Sequence, residues 1–421
     1  MTASAMEAQA SLQNPRLPNT LPLTGFRGLL ALVVFGTHID FNRYLGGYDG
    51  LRTHFAVYCF FVISSFLLTF NCLAWKPKFA TPSKSLRTFR IDRSFFTYWA
   101  SYAVRRVFKI YPLYLVAVVL SASVPLFGEA YWNLVDFWPH LFMLENRTVL
   151  WSVAVEFEFY RYLPILVIIY KLAEEFDFRS SQCWRRLSVI SLFSALSAFV
   201  SIKYNISNYE YLYPHFLPYY PAFWAGCLGG IILRFCLQTG ILNVPAKDET
   251  PKDYQISFKS MSINVSAVAN YFAWLYLLFL FTSQYSVLEK FHFNVKAEDE
   301  KGYRDAIGIY LAYPFTILVF MMLTVLKGKS FNKFFENSLL QFTGKIGYPF
   351  YLFHLFAMQI VSGLSSLSNF TGLVIIVSLT YLIAYAAYCI VEEPFIKLAS
   401  KLNSFMKQKS TSYQPVASAA V

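Results

Sequence analysis

Charged residues are scarce in this chain of 421 residues, where they make up 14% of the sequence. An ordinary soluble domain carries roughly 25%, and a soluble chain of this length would form two or three domains with polar surfaces. Hydrophobic residues reach 56% and aromatic residues 19%. Because so few polar side chains cannot cover such surfaces, we predict that much of the chain faces lipid, with aromatic residues near the membrane–water interface.

Motifs that would indicate a metal or redox site are also lacking. The six cysteines show no zinc or redox spacing, and most lie in apolar runs, so we predict small core residues and no metal. No basic segment leads into a short apolar core near the N-terminus, so no cleavable signal peptide is predicted. The absence of internal repeats favours a single membrane domain.

Apolar runs of roughly 20 residues, the length that crosses a bilayer as a helix, predict an all-α integral membrane protein. About ten transmembrane helices in one bundle are expected on this criterion. The candidate spans are residues 22–38, 54–74, 107–127, 149–171, 187–204, 216–237, 263–288, 306–326, 339–364 and 371–391. The bundle is predicted to occupy residues 21–398, between disordered cytoplasmic tails at 1–20 and 399–421.

The net charge of +12 would suit nucleic-acid binding, but basic residues also collect in the cytoplasmic loops of membrane proteins. We favour the second explanation and expect no nucleic-acid partner. The strongest basic cluster lies between the second and third spans, so that loop is assigned to the cytoplasm. Alternation of the spans then puts both termini in the cytoplasm and predicts a multi-pass protein of an endomembrane or the plasma membrane.

Ionisable side chains inside spans cost a few kcal/mol, so each needs a partner, a cavity or a function. Arg27 and His38 lie eleven residues apart in the first span, on similar sides of the helix and about 16 Å apart along its axis. Taken singly, each has a simpler explanation: Arg27 as a snorkelling residue and His38 as an interfacial helix end. Glycines flank Arg27 on both sides and permit a close approach of another backbone.

The fourth span contains two carboxylates in its predicted outer half. Ser152, Glu156 and Tyr160 share one face of the helix at i, i+4 spacing. Glu158 lies three residues before Arg161, and an internal ion pair between them is the preferred interpretation. Glu156 lacks such a partner in the sequence and is predicted to face a cavity or another span.

Two further groups complete a predicted polar central track. His354 lies deep in the ninth span, where a lone histidine is more often a hydrogen-bonded core residue than a catalyst. The basic segment Arg105, Arg106 and Lys109 at the inner end of the third span suits an anionic headgroup or ligand phosphates, although a cytoplasmic anchor explains it equally well. Cations would thus lie on the inner side and acid–base groups higher up, which fits an anionic donor entering from the cytoplasm.

Six motifs in the same order resemble the acyltransferase-3 family of membrane O-acyltransferases. The segments are residues 23–38, 60–66, 105–114, 151–160, 347–354 and 391–395. They resemble, in turn, the first-span R-G…H signature, F-F-V-x-S-G-F, R-R-x-x-R-I-Y-P-x-Y, W-S-L-x-x-E-x-x-F-Y, S-Y-x-x-Y-L-x-H and V-E-x-P-F.

The resemblance implies transfer of an acyl group, usually acetyl, from acyl-CoA to a hydroxyl group. Acceptors in the family include sugars, lipids and, in fungal relatives, small natural products of secondary metabolism, and the resemblance suggests a eukaryotic, fungal member. Acyl-CoA is a co-substrate, so no bound cofactor is expected. By position His38 resembles the proposed catalytic base, Arg27 the arginine that meets the donor, and Glu156 the glutamate of the fourth span.

We therefore predict catalytic roles for His38 and Glu156. Donor binding is predicted for Arg27, Arg105, Arg106 and Lys109, and substrate binding for Ser152, Tyr160 and His354. In direct transfer, His38 takes the proton of the acceptor hydroxyl, while Glu156 orients His38 or stabilises its imidazolium form. In a relay, His38 itself is acylated first; the sequence does not choose between the two routes.

Three departures from the family pattern are present. Tyr58 and Cys59 stand before the Phe60–Phe61 pair where the family usually has Asp, and Ser65 replaces a usual Gly. Lys109 replaces an Arg and cannot form a forked contact with phosphate. A transporter or flippase that uses the same polar track, and a non-catalytic binding protein, are the alternatives.

Overall fold

The computed structural model describes residues 20–39, 53–75, 92–123, 134–144, 150–175, 219–238, 255–258, 261–284, 329–362 and 369–411. These form twelve α-helices and one β-hairpin. In chain order they are α1 (Leu21–His38), α2 (Thr53–Cys72), α3 (Arg93–Ser123), α4 (Leu134–Leu141), α5 (Trp151–Glu175), α6 (Tyr220–Gln238), β1 (Gln255–Phe258), β2 (Met261–Asn264), α7 (Val265–Gln284), α8 (Ser330–Phe335), α9 (Ser338–Lys345), α10 (Gly347–Ser362), α11 (Asn369–Ala387) and α12 (Glu393–Thr411).

The predicted helical fold is confirmed for this part of the chain, apart from the hairpin. Strands β1 and β2 pair antiparallel, with Ile256 opposite Ile263, in a stretch where polar and apolar residues alternate as in a strand. Two helices there are long and apolar enough to cross a membrane, Leu21–His38 and Phe370–Gln408. The number of ten spans stays a prediction, and the spans predicted at 187–204 and 306–326, like most of the predicted N-terminal tail, lie outside the described residues.

Helix α3 begins well before the span predicted at 107–127. Asp92 caps its N-terminus, since its carboxylate accepts a hydrogen bond from the Phe95 amide at 3.1 Å. Its 31 residues make a helix about 46 Å long, which exceeds the roughly 30 Å of a bilayer core. The basic segment 105–109 is therefore in the middle of a continuous helix and not at its end.

The span predicted at 339–364 is instead two helices. Helix α9 ends at Lys345 and α10 begins at Gly347. Glycine disfavours a helix interior, and Pro349 has no amide hydrogen to donate to an earlier carbonyl, so it is best tolerated in a first turn. Both residues therefore favour a new helix start at this position.

Close contact between α1 and α9 depends on glycine. A Cβ atom added to Gly28 would collide with the Leu340 carbonyl, and one added to Gly344 would collide with the Thr24 carbonyl. The predicted close approach beside Arg27 is thus confirmed, with α9 as the neighbouring backbone. It fixes the position of the α1 backbone from which Arg27 projects.

Helices α2 and α6 also pack through a glycine. A Cβ atom at Gly226 would overlap the Ser65 hydroxyl and the Val62 carbonyl. Ser65 is fully buried, and its hydroxyl donates to the Phe61 carbonyl at 2.8 Å. The serine that departs from the family pattern is therefore accommodated by the glycine opposite it.

The C-terminal helix differs from the predicted domain boundary. A π-helical turn, Tyr388–Glu392, follows α11, and α12 then continues to Thr411, so the helix extends past residue 398, where a disordered tail was predicted. Within α12, Lys397 forms an ion pair with Glu393 one turn earlier, at 3.1 Å, a spacing that favours helix.

Candidate functional site

Two histidines from α1 and α10 form the centre of the site. His38 is the last residue of α1, and its Nδ1 lies 2.9 Å from the Val34 carbonyl oxygen. His354 is 1% exposed, and its Nδ1 lies 2.6 Å from the Tyr351 carbonyl oxygen. Because a carbonyl oxygen only accepts hydrogen bonds, each Nδ1 carries the hydrogen.

The imidazoles also contact each other. His354 Nε2 lies 3.2 Å from His38 Nδ1, and the ring centroids are 4.9 Å apart. With its hydrogen on Nδ1, neutral His354 can only accept at Nε2, so His38 Nδ1–H is shared between that nitrogen and the Val34 carbonyl. The lone pair of neutral His38 is then on Nε2, which has no hydrogen-bond partner among the described residues.

Glu156 faces another helix, as predicted, but it does not contact His38. Its Oε1 accepts hydrogen bonds from the Ser64 hydroxyl and, at 2.7 Å, from the Tyr160 hydroxyl. The contact with Tyr160 agrees with the shared helix face expected from their spacing. His354, and not Glu156, hydrogen-bonds His38. Sequence analysis missed Ser64, although it lies in the motif at 60–66.

Tyr351 links α5 to the histidines. Its hydroxyl lies 2.7 Å from the Ser152 hydroxyl on α5, one turn before Glu156. Its carbonyl accepts from His354, and its ring centroid is 5.9 Å from that imidazole. Helices α1, α5 and α10 therefore contribute to one connected set of polar groups.

Cations gather next to this set. The Arg106 guanidinium lies over the Tyr160 ring, 5.8 Å from its centroid. Lys109 interacts electrostatically with Arg27, Arg106, Glu156 and Glu392. The Tyr348 hydroxyl donates to the Ile110 carbonyl at 2.9 Å, which ties α10 to α3 directly beside Lys109.

Other predicted features have different surroundings. Arg105 interacts electrostatically with Cys72 and Tyr98. The predicted ion pair between Glu158 and Arg161, both of which the structure describes, does not form. The Arg161 guanidinium instead lies over the Phe157 ring, 5.7 Å from its centroid, and Arg161 is exposed.

The two residues that stand where the family usually has Asp are buried in the hydrophobic core. Tyr58 is buried with its ring 5.6 Å from that of Tyr219, and Cys59 is buried as well. An acid from α2 is thus replaced by aromatic packing. Within the described ranges no cluster of three or more histidine, cysteine or acidic residues could hold a metal ion.

Comparison with known proteins identifies one family. A family model described as an acyltransferase domain matches residues 23–389. No curated protein and no solved structure gives a significant match. The matched region contains His38, His354, Glu156 and all the cations named above, whereas Glu392 lies just beyond its end.

Proposed function

The chain belongs to the acyltransferase-3 family, whose members are membrane-associated, and from this premise we propose that it is a membrane-embedded O-acyltransferase. The proposed reaction moves an acyl group, acetyl in the first instance, from acyl-CoA to a hydroxyl group of a natural product, sugar or lipid. One observation carries the proposal: the His38–His354 contact leaves Nε2 of the half-buried His38 with a lone pair and no hydrogen-bond partner among the residues that the structure describes.

His38 is the proposed general base. As the acceptor oxygen attacks the thioester carbonyl, Nε2 of His38 takes the hydroxyl proton, and a tetrahedral intermediate forms. When the intermediate collapses, the carbon–sulfur bond breaks, the ester remains, and the departing CoA sulfur takes the proton back from His38. His354 is a positioning residue, because its Nε2 keeps the His38 hydrogen on Nδ1 throughout.

Cations on α1 and α3 are the proposed donor site. Arg27, Arg106 and Lys109 would bind the phosphates of acyl-CoA, with Arg105 as a further contact from the same motif. Arg27 and His38 are eleven residues apart on α1, about 16 Å along the axis. That separation is comparable to the extended pantetheine arm, which links the phosphates to the thioester, so one helix would align both ends of the donor.

Polar groups on α5 are the proposed acceptor contacts. Ser152 is linked to the histidines through Tyr351, and Tyr160 hydrogen-bonds Glu156 on the same helix. Both hydroxyls can exchange one hydrogen-bond partner for another. An acceptor hydroxyl that approaches His38 would meet them. We assign Glu156 to stabilise the imidazolium at longer range, without direct contact to His38.

A test of the function uses the full-length protein in lipid nanodiscs with radiolabelled acetyl-CoA. We expect labelled ester products from an extract of hydroxyl-bearing metabolites and glycans, with release of free CoA in equal amount. Mass spectrometry of cells with and without the gene would identify the acceptor as the compound that loses an acetyl group. Movement of a compound across the bilayer without CoA release would contradict the enzyme and support a transporter.

The same free Nε2 could act as a nucleophile in a relay. In that route Nε2 attacks the thioester carbonyl, the carbon–sulfur bond breaks and CoA leaves as its thiolate. The acyl group then resides on His38 until the acceptor oxygen attacks it and the carbon–nitrogen bond breaks. Incubation with acetyl-CoA alone, followed by rapid digestion and mass spectrometry, separates the two routes. An acetylated peptide that contains His38 supports the relay, and an unmodified peptide with product formation supports direct transfer.

A further inference from the structure

Two neighbouring glutamates differ sharply in their surroundings. Glu393 is partly exposed and pairs with Lys397 on the same helix, at 3.1 Å. Glu392 is only 4% exposed, which is unusual for an ionisable side chain. A buried carboxylate is costly unless other groups compensate its charge, so its position calls for a specific partner.

Backbone geometry explains why Glu392 faces inward. The Glu393 amide donates to the Tyr388 carbonyl, five residues earlier, so the chain makes a wide π turn. Pro394 follows, and a proline ring would clash with the carbonyl four residues before it in a regular helix. The wider turn relieves this clash, contacts α3 and leaves Glu392 buried. Such turns are frequent at functional sites.

Charges, and not hydrogen bonds, compensate Glu392. The carboxylate interacts electrostatically with Lys109 and Arg27, yet among the described residues it forms no direct ion pair, and its buried Oε2 has no hydrogen-bond partner. A long-range interaction of this kind specifies no geometry. An anion brought in from outside can therefore replace it without breaking a bonded network.

Glu156 is less suited to this role. Lys109 interacts with both acids, but Glu156 Oε1 already accepts from Ser64 and Tyr160. Without the negative charge of Glu392, the positive charges of three neighbouring cations would be less well balanced, because Lys109 is also within electrostatic range of Arg27 and Arg106. Among the described residues, Glu392 is thus the acid that is available to balance the cations while no donor is bound.

We propose that Glu392 is an internal counter-ion of the donor site, which balances Arg27 and Lys109 in the empty protein and competes with the donor phosphates for them. The inference rests on the proposed function, since the competing anion is acyl-CoA. Its consequence is moderated affinity: the carboxylate weakens CoA binding and so promotes release of the product CoA. Glu392 is a positioning residue and touches no reacting atom.

The test compares Glu392→Gln with Glu393→Gln in the full-length protein in nanodiscs. Both variants remove one negative charge at adjacent positions, but only the first removes the buried one. We expect Glu392→Gln to bind CoA about tenfold more tightly, as removal of one nearby charge allows, and to turn over more slowly where CoA release limits the rate. Glu393→Gln should bind CoA like the wild type. Calorimetry measures the affinity.

Pantetheine, which lacks the phosphates, is the second probe. Glu392→Gln should leave its affinity unchanged, since an uncharged ligand does not compete with a carboxylate. Unchanged or weaker CoA binding by Glu392→Gln, or an equal gain for pantetheine, would overturn the proposal while the enzyme assignment stands. If wild-type protein binds no CoA, the proposed function falls and this inference with it.

The thermal stability of Glu392→Gln, with and without CoA, is a further test of the proposal. Neutralised Glu392 leaves the cations unbalanced, so Glu392→Gln should lose thermal stability in the empty state and regain it when CoA is added. A variant that purifies only with CoA present would support the counter-ion role. A variant that fails to fold even with CoA would show a purely structural carboxylate and overturn the proposal.

Discussion

The two ends of the candidate site are held together by different kinds of interaction. At the histidine end, His38 and His354 make hydrogen bonds of 2.6 to 3.2 Å that fix both tautomers. At the cationic end, Arg27, Lys109 and Glu392 interact electrostatically at longer range, and none of them forms a direct ion pair with another described residue. The histidine end thus has the fixed geometry that proton transfer needs, and the cationic end can adjust to a bound anion.

This comparison separates the expected effects of substitution. Changes at the histidine end should lower the rate and leave donor affinity intact, whereas changes at the cationic end should mainly alter affinity. A single uniform site would instead lose rate and affinity together.

Loss of the base gives the largest expected effect. His38→Ala removes the only nitrogen proposed to accept the acceptor proton, so kcat should fall by about a thousandfold, within the range for general-base catalysis. CoA affinity should stay within about twofold of the wild type. A continuous thiol-release assay measures the rate and calorimetry the affinity. A folded variant with a normal rate would remove His38 from the mechanism.

Loss of the second histidine should be less severe. His354→Ala removes the group that keeps the hydrogen on His38 Nδ1. Partners that orient metal-bound histidines contribute 10- to 100-fold, and we expect kcat to fall by about the same factor here. His354→Gln keeps an acceptor near His38 and should recover part of the rate, which a merely space-filling role would not explain.

The pH profile of the two His354 variants offers an independent readout. If His354 only fills space, both variants should keep the profile of the wild type and differ in thermal stability. If it orients His38, the limb of the kcat/KM profile that belongs to the free base should move in His354→Ala and move less in His354→Gln.

Lysine at position 109 allows the cationic end to be strengthened as well as weakened. Lys109→Gln should raise the Kd for CoA about tenfold, the effect of about 1.4 kcal/mol, with little change in kcat. Lys109→Arg restores the residue usual in the family and offers a forked contact to phosphate, so it should tighten binding a few-fold. Equal affinities for all three proteins would place the phosphates elsewhere.

Sequence patterns predicted the groups of the site better than their pairing. Arg27, His38 and His354 were identified because ionisable residues are costly inside apolar helices. The partner of His38 was missed, since α1 and α10 are more than 300 residues apart in the chain and no local spacing brings them together. Glu156 was paired with His38 from its predicted depth and from its place in the fourth-span motif, and neither determines which side chains touch.

Helix ends were predicted least well where the chain has glycine or proline. Hydropathy merged α9 and α10 into one span, because the apolar run continues through Gly347 while the helix does not. It also ended the last span at residue 391, so Glu392 lay just outside it and no inward-facing role was predicted for this residue. That role depends on a π turn before Pro394, and a hydropathy pattern with a period of 3.6 residues contains no signal for such a turn.

The smallest expected effect concerns how the cationic end is positioned. In Gly28→Ala the added methyl group would meet the Leu340 carbonyl, so α1 and α9 must separate. Overpacking of this kind costs about 1–3 kcal/mol of stability, and the displaced Arg27 should weaken CoA binding a few-fold with kcat unchanged. Thermal unfolding and calorimetry measure the two effects.

Gly347→Ala is the matched control for Gly28→Ala. Nothing lies within 4 Å of a Cβ atom at that position, so this variant should be as stable as the wild type. Because Gly347 begins the helix that carries His354, a loss of rate here would mean that the histidine end also depends on glycine packing. An equal loss of CoA affinity in both variants would show that the two ends move together, and the division between a fixed and an adjustable end would then be wrong.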